Sequence, residues 1–491
     1  MINSVNFVNN VMKITSGSFF GQFIFALTTP IITRIYDPEI FGYFAIYSAI
    51  VRLISAISPL RYELALMITK NDHDANSLFI ISVLSVFIIS LVTYLALTVF
   101  NFFNFFDTVS DLAFLYKEII CLGIFFWGLI HVFNASETRS ERFSNIGTLK
   151  FIRPLVTASV TIGYGFVFKV SYFGLFIGDL LGTLAGVIFI VLSSVHHYKE
   201  KFFKNSSISH IIYLLKRYKR FPLFGTWEVL INSLMIQFPI ILISNFQPTV
   251  VVGSFALANR ILLMPNTLFN TGVSQVFLKN ASDNKSFFEV NRLIIKTLRR
   301  LLMLSIFPLI IITLVGEDLF SVVFGNNWTE SGKYLQILSW LGFSAFLVHP
   351  LSQLIYVFEK QKEALIISLG RLFARLGTLS YCLISDMDIM LTLIYFSCAG
   401  FISNMLFLRW LLNITKCSLE FIFQDFIKYL LISVVFSLPL IASMFLLDIS
   451  SVQRLIISFF LSLLYGTYTI YSDEGLKKLL LASIGQGKKF K

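Results

Sequence analysis

Eight charged side chains lie inside long apolar stretches of this 491-residue chain: Arg52, Arg61, Glu63, Asp179, Glu228, Arg260, Arg371 and Arg375. A charge at the centre of a bilayer costs about 2.5–3.5 kcal/mol on insertion scales, so those that persist there face an interior cavity and a partner. Guanidinium forks match phosphate oxygens in geometry and charge, and they release them again when water enters. The chemistry these groups suit is therefore binding and release of an anionic substrate. Arg371 and Arg375 sit one turn apart on a shared helical face, where like charges repel unless an anion lies between them; a phosphate group would suit. Arg52 and Glu63 are eleven residues apart, about three helical turns, which predicts that one face of a single helix carries both and lines the cavity. Asp179 and Glu228 read either as ion-pair partners of the arginines or as a cation-coupling site. Arg61 and Glu63 also lie near the inner end of their stretch, where snorkelling to the interface is cheap. His131 and His349 read as packing or interface residues.

Motifs for bond-breaking chemistry are missing. The sequence holds no GxxxxGK[ST], no HExxH and no GxSxG, which disfavours ATP hydrolysis and hydrolase activity. Cys121, Cys382, Cys398 and Cys417 form no CxxC pair and have no histidine at metal-ligand spacing, so no metal and no cofactor are expected.

The elements that position the buried charges follow from composition. The chain is 56% hydrophobic and 13% charged, with a mean hydropathy of +0.79, too apolar for a water-soluble fold to conceal. Since about 20 apolar residues cross the hydrocarbon, the runs predict an all-α polytopic membrane protein of about fourteen transmembrane helices. The predicted spans are 12–33, 41–68, 78–101, 112–134, 150–168, 172–194, 222–245, 250–277, 298–316, 334–358, 364–384, 390–412, 426–447 and 453–471. Met1 to Asn10 is mostly polar with no small-residue cleavage pattern after the first apolar run, so the first helix is expected to remain in place.

The formal charge of +12 raises the question of nucleic acid, and position answers it. With the N-terminus inside, lysine and arginine crowd the cytoplasmic segments, as in Lys199, Lys201, Lys204, Lys216, Arg217, Lys219 and Arg220, whereas the opposite side carries only Arg34, Lys169 and Lys333. Such asymmetry is what membrane topology demands, so the basic excess needs no nucleic acid. Both termini are predicted to be cytoplasmic.

A short pattern recurs. Pro30-Ile-Ile, Pro38 and Gly42-Tyr-Phe-Ala-Ile reappear as Pro239-Ile-Ile, Pro248 and Gly253-Ser-Phe-Ala-Leu, each copy spanning the end of one helix, a loop and the start of the next. Parallel repeats of this kind build two lobes around a cavity that opens to either side. The expected organisation is an N-terminal lobe of six helices over 1–200, a connector over 201–221, a second six-helix lobe over 222–412 in pseudo-two-fold relation to the first, and two further helices with a basic tail over 413–491. In this register Arg260 replaces Ala49 of the first copy, an addition of the type that marks substrate contact.

The segments Gly17-Ser18, Pro30-Ile-Ile-Thr33-Arg34-Ile-Tyr36-Asp-Pro38, Phe41-Gly42 and Leu60-Arg61-Tyr62-Glu63-Leu-Ala65, with Val323-Phe324-Gly325-Asn-Asn-Trp328 later, resemble the polysaccharide (O-antigen type) flippase family. That family belongs to the multidrug, oligosaccharidyl-lipid and polysaccharide exporter superfamily. The resemblance implies movement of an undecaprenyl-pyrophosphate-linked oligosaccharide across the inner (cytoplasmic) membrane, from the cytoplasmic to the outer leaflet, by alternating access. It implies a lipid-linked oligosaccharide and the bilayer as partners, with polysaccharide polymerase and chain-length machinery as further ones. Arg34, Arg61, Glu63, Pro38 and Gly42 belong to the family pattern, in helix packing or in substrate contact. A multidrug exporter on the same fold would prefer acidic cavity groups, against the arginine excess. A sugar-repeat polymerase would carry one large outer loop, and the longest here, 317–333, is about seventeen residues.

Overall fold

The computed structural model describes residues 4–102, 117–168, 171–194, 207–265, 287–415, 417, 419–447 and 449–473. They are helical, with no strand among the described residues. In chain order the helices are α1 (Ser4–Ile35), α2 (Pro38–Ile57), α3 (Tyr62–Ile68), α4 (Asp72–Phe102), α5 (Lys117–Arg139), α6 (Phe143–Val167), α7 (Phe173–Ser193), α8 (Ile208–Arg217), α9 (Thr226–Phe246) and α10 (Thr249–Pro265). They continue as α11 (Phe287–Val323), α12 (Thr329–Leu351), α13 (Leu354–Val357), α14 (Gln361–Ile384), α15 (Ile389–Ile414), α16 (Leu419–Leu446) and α17 (Ser451–Ser472).

Among the described residues, twelve helical stretches are long and apolar enough to cross a membrane, and the shorter apolar helix α10 adds to them. A helix satisfies its own backbone polar groups, which is why apolar runs of this length fold as helices in lipid. Each of the fourteen predicted spans overlaps one of these stretches, α6 or α10. The start of the 112–134 span, up to residue 116, and the later part of the 250–277 span, from residue 266, lie outside the described residues. On α4, Phe87, Ile88, Leu91, Val92 and Leu95 are about half exposed, the apolar face expected where a helix meets acyl chains.

The chain divides into two compact units, residues 1–257 with 362–396, and residues 258–361 with 397–491. In the first, small residues let backbones approach closely, as membrane helix pairs require. A β-carbon on Gly17 of α1 would lie 2.2 Å from the Gly147 carbonyl oxygen of α6. The α1–α2 corner is tied to α6 by Tyr36, whose hydroxyl donates to the Thr161 carbonyl at 2.8 Å. Burial, then the neighbouring Tyr164, pushes that hydroxyl up to about 12, so it remains a donor.

The repeat has a counterpart in space. A β-carbon on Gly42 would lie 2.1 Å from the Thr249 carbonyl oxygen, and one on Gly253 would lie 1.9 Å from the Pro38 carbonyl oxygen. At the register that matches Gly42 with Gly253, one residue on from the one that pairs Pro38 with Pro248, Pro38 falls on Thr249. The contact is reciprocal, as at a local two-fold axis.

The predicted second helix is corrected. Residues 41–68 do not form one helix: α2 stops at Ile57, Leu60 and Arg61 take left-handed backbone angles (φ 51° and 62°), and α3 starts at Tyr62. Pro59 is the cause, because in a continuing helix its ring would strike the carbonyl of Ser55. That carbonyl instead accepts from the Ser58 backbone N–H at 3.3 Å and from the Ser58 hydroxyl at 2.9 Å. Helical phase is lost between Arg52 and Glu63, so the shared face inferred from their spacing does not exist.

The α5–α6 turn is held by a charge the apolar-run reading passed over. The fully buried Glu137 carboxylate accepts from Arg142 Nε at 3.0 Å and Nη2 at 2.7 Å, and from Asn145 Nδ2 at 2.8 Å. Removing one partner of a buried pair leaves an uncompensated charge at a cost of about 3–5 kcal/mol. Arg142→Ala is therefore expected to lower the thermal midpoint in detergent by several degrees, measured by intrinsic fluorescence. An unchanged midpoint would show that the carboxylate finds other partners.

Candidate functional site

Three charged side chains of the first unit, Arg52, Arg153 and Asp179, converge where α2, α5, α6 and α7 meet. On α5, Gly123 leaves room for the Tyr47 and Val51 side chains of α2, so the two helices close up and Arg52 reaches over Trp127, its guanidinium carbon 4.7 Å from the ring centroid. On α7, Gly178 and Gly182 sit against Thr161 and Thr157 of α6, and Gly182 also against the Arg153 carbonyl. Arg153 reaches the same Trp127 ring at 4.2 Å. The Trp127 indole Nε1 donates to Asp179 Oδ2 at 3.3 Å. Asp179 is 5% exposed, while Arg52, Trp127 and Arg153 are half-buried. Trp127 thus serves as a platform for two cations with one carboxylate at its edge. His131 lies one turn along α5 from Trp127.

Two guanidinium groups against one carboxylate leave a surplus positive charge in a low-dielectric setting. A fixed cation surplus of that kind attracts an anion, and two forks offer donors to more than one phosphoryl oxygen.

Arg52 and Asp179, both singled out from sequence, are brought together here. Trp127 and Arg153 were missed. Arg153 stood only a few residues inside the predicted 150–168 span, whereas α6 begins at Phe143, which places it well within the helix. The Arg153-Pro154 pair inside an apolar run was the available signal.

The other predicted residues lie apart from the Trp127 platform or pair locally. Arg61 Nη1 is 3.5 Å from Glu63 Oε1, an ion pair across the α2–α3 break, and Arg61 packs against Gly225 in the turn before α9. Arg371 and Arg375 are half-buried one turn apart on α14, and the Arg375 guanidinium carbon lies 5.1 Å from the Phe396 ring centroid. Leu372 between them packs with Ile231 and Met235 of α9. Glu228 at the start of α9 is exposed, as are Arg34 at the end of α1 and Arg260 on α10. Pro38 opens α2, and Gly42 makes the reciprocal contact described above.

A profile described as "polysaccharide biosynthesis protein" matches residues 31–333, more than half of the chain. The chain belongs to the polysaccharide biosynthesis protein family. It is 27% identical over 227 residues to the teichuronic acid biosynthesis protein TuaB of Bacillus subtilis (strain 168). That match covers 45% of this chain and 47% of the relative, so the chain spans about half the length of the curated relative it matches. Among solved structures it resembles the lipid II flippase MurJ in an inward closed conformation, with a TM-score of 0.70, 14% identity and coverage of 94% and 99% of the two chains. It also resembles an inward-facing multidrug resistance MATE family transporter of the MOP superfamily, with a TM-score of 0.54, 13% identity and coverage of 83% and 94%. At those identities the likeness is one of fold. The family member described here is a multi-pass membrane protein whose fold resembles those of MurJ and the MATE transporter, and the family read from the Pro30-to-Ala65 pattern is the one the profile finds.

Proposed function

We propose that the chain carries a phosphate-bearing, lipid-linked oligosaccharide, of the undecaprenyl-pyrophosphate type, from the inner to the outer leaflet of the cytoplasmic membrane by alternating access, for surface polysaccharide synthesis. The observation that carries this reading is the Arg52–Trp127–Arg153 stack with its single acid, Asp179. A diphosphate neutralises the surplus cation charge, accepts from two guanidinium forks and needs no bond to be made or broken. Membership of a polysaccharide-biosynthesis family and a relative that acts in teichuronic acid biosynthesis favour a saccharide as the attached group. Arg371 and Arg375 fit a second anion contact, and Arg260 a surface that first meets the substrate. Both termini lie in the cytoplasm in this reading, and a polymerase and chain-length machinery receive the product. A drug exporter on the same fold is disfavoured, since cationic drugs call for an acidic surplus.

The test is deletion of the gene in a host that makes a surface polysaccharide by repeat units. Lipid-linked repeat units are expected to accumulate, accessible only from the cytoplasmic leaflet in inverted vesicles, and surface glycan to disappear until the gene is restored. Normal surface glycan in a deletion strain without a second transporter of this fold would remove the proposal.

A further inference from the structure

A second cluster of side chains lies away from the Trp127 platform, within the first unit, where α8 docks on the start of α4. His73 and Asp74 stand in the first turn of α4, and His210 in the first turn of α8. His73 Nδ1 is 3.2 Å from His210 Nε2, which is 3.1 Å from Asp74 Oδ1, and the three ligand atoms lie within 4.8 Å of one another. Tetrahedral zinc with bonds of 2.0–2.2 Å places neighbouring ligand atoms about 3.3 Å apart, so two edges of the triangle already have the required length.

The arrangement is awkward for protons and natural for a cation. Three lone-pair-bearing atoms converge, and one proton on His210 Nε2 cannot serve both His73 Nδ1 and the carboxylate with a straight hydrogen bond. A divalent metal accepts all three at once. The ligands are also held in place. The His210 backbone N–H donates to the capping Ser207 hydroxyl, the His73 N–H donates to Asn71 Oδ1, and Asp74 is 6% exposed with its second oxygen 3.6 Å from Arg217. Leu214, fully buried among Leu66 and Leu78, fixes the face that α8 turns toward α4.

We propose that His73, Asp74 and His210 form a site for a divalent transition metal, with Zn²⁺ the best fit to two imidazole nitrogens and one carboxylate, leaving a fourth position for water. The metal clips α8 to the start of α4, so occupancy stiffens the packing of these two helices within the first unit. Sequence spacing did not reveal the site because 137 residues separate His73 from His210.

The test uses the full-length protein purified in detergent, free of any histidine tag and stripped with a chelator. Added Zn²⁺ is expected to bind at one ion per chain by calorimetry, and Co²⁺ to give the intense visible bands of a tetrahedral complex. His210→Ala and His73→Ala should each weaken Zn²⁺ binding at least tenfold and abolish the Co²⁺ bands. No stoichiometric binding by the wild-type protein, or binding and Co²⁺ spectra unchanged in both variants, overturns the proposal. The wild-type spectrum decides the case even where a variant folds poorly.

Discussion

Replacing Arg52 or Arg153 with alanine is expected to reduce export about 10- to 100-fold while the protein inserts at its normal level. The estimate follows from the loss of charge-assisted hydrogen bonds to the substrate, about 1.5–3 kcal/mol each. Either change also leaves Asp179 facing one guanidinium in place of two, which removes the surplus that favours an anion. Lysine at either position should retain part of the activity, because it keeps the charge but loses the planar fork and the stacking on Trp127. Trp127→Leu should resemble the alanine variants without altering net charge, since it frees both guanidinium groups from their platform. The readout is lipid-linked saccharide reaching the outer leaflet per unit of membrane protein, compared with immunoblots of the same membranes. Wild-type export by both alanine variants would assign the stack to packing alone.

A second large effect, on folding in the membrane, comes from a different place. Gly42→Leu or Gly253→Leu should leave little folded protein in the membrane, because the first side-chain carbon would meet a backbone carbonyl oxygen at about 2 Å. Backbone cannot rotate aside as a side chain can, so α2 and the start of α10 would have to separate. Overpacking typically costs about 1–3 kcal/mol, and rigid neighbours push it higher. The two substitutions are predicted to be equivalent in effect, and combining them should cost less than the sum of the two, because the first already opens the shared gap. Fluorescence-detected size exclusion after detergent extraction measures this directly. A monodisperse Gly42→Leu protein at wild-type yield would show that the helices part freely.

Much of this architecture was readable from residues alone, and for a simple reason. In lipid, hydropathy reports span positions directly, so even the thinly apolar 150–168 run found its helix in α6. What failed was phase. The eleven-residue spacing from Arg52 to Glu63 assumed unbroken helix, and Pro59 ends that helix two turns too soon. Site residues were legible where cost marked them: a carboxylate such as Asp179 in a run of leucine, glycine and phenylalanine demands an explanation. Trp127 carried no such mark, since 16% of the chain is aromatic and tryptophan is comfortable in lipid. Arg153 was hidden by a boundary error, because a cation near a presumed helix end reads as one that reaches the headgroups. Contacts between distant segments, such as His73 with His210, leave no trace in local spacing.

The mutual contact of Gly42 with Gly253 limits what either position can become. Each glycine lies against the backbone of the other's segment, so a side chain added to either one fills a gap that both share. The two positions are therefore not independent: what one tolerates depends on what the other carries, and they can change only in concert.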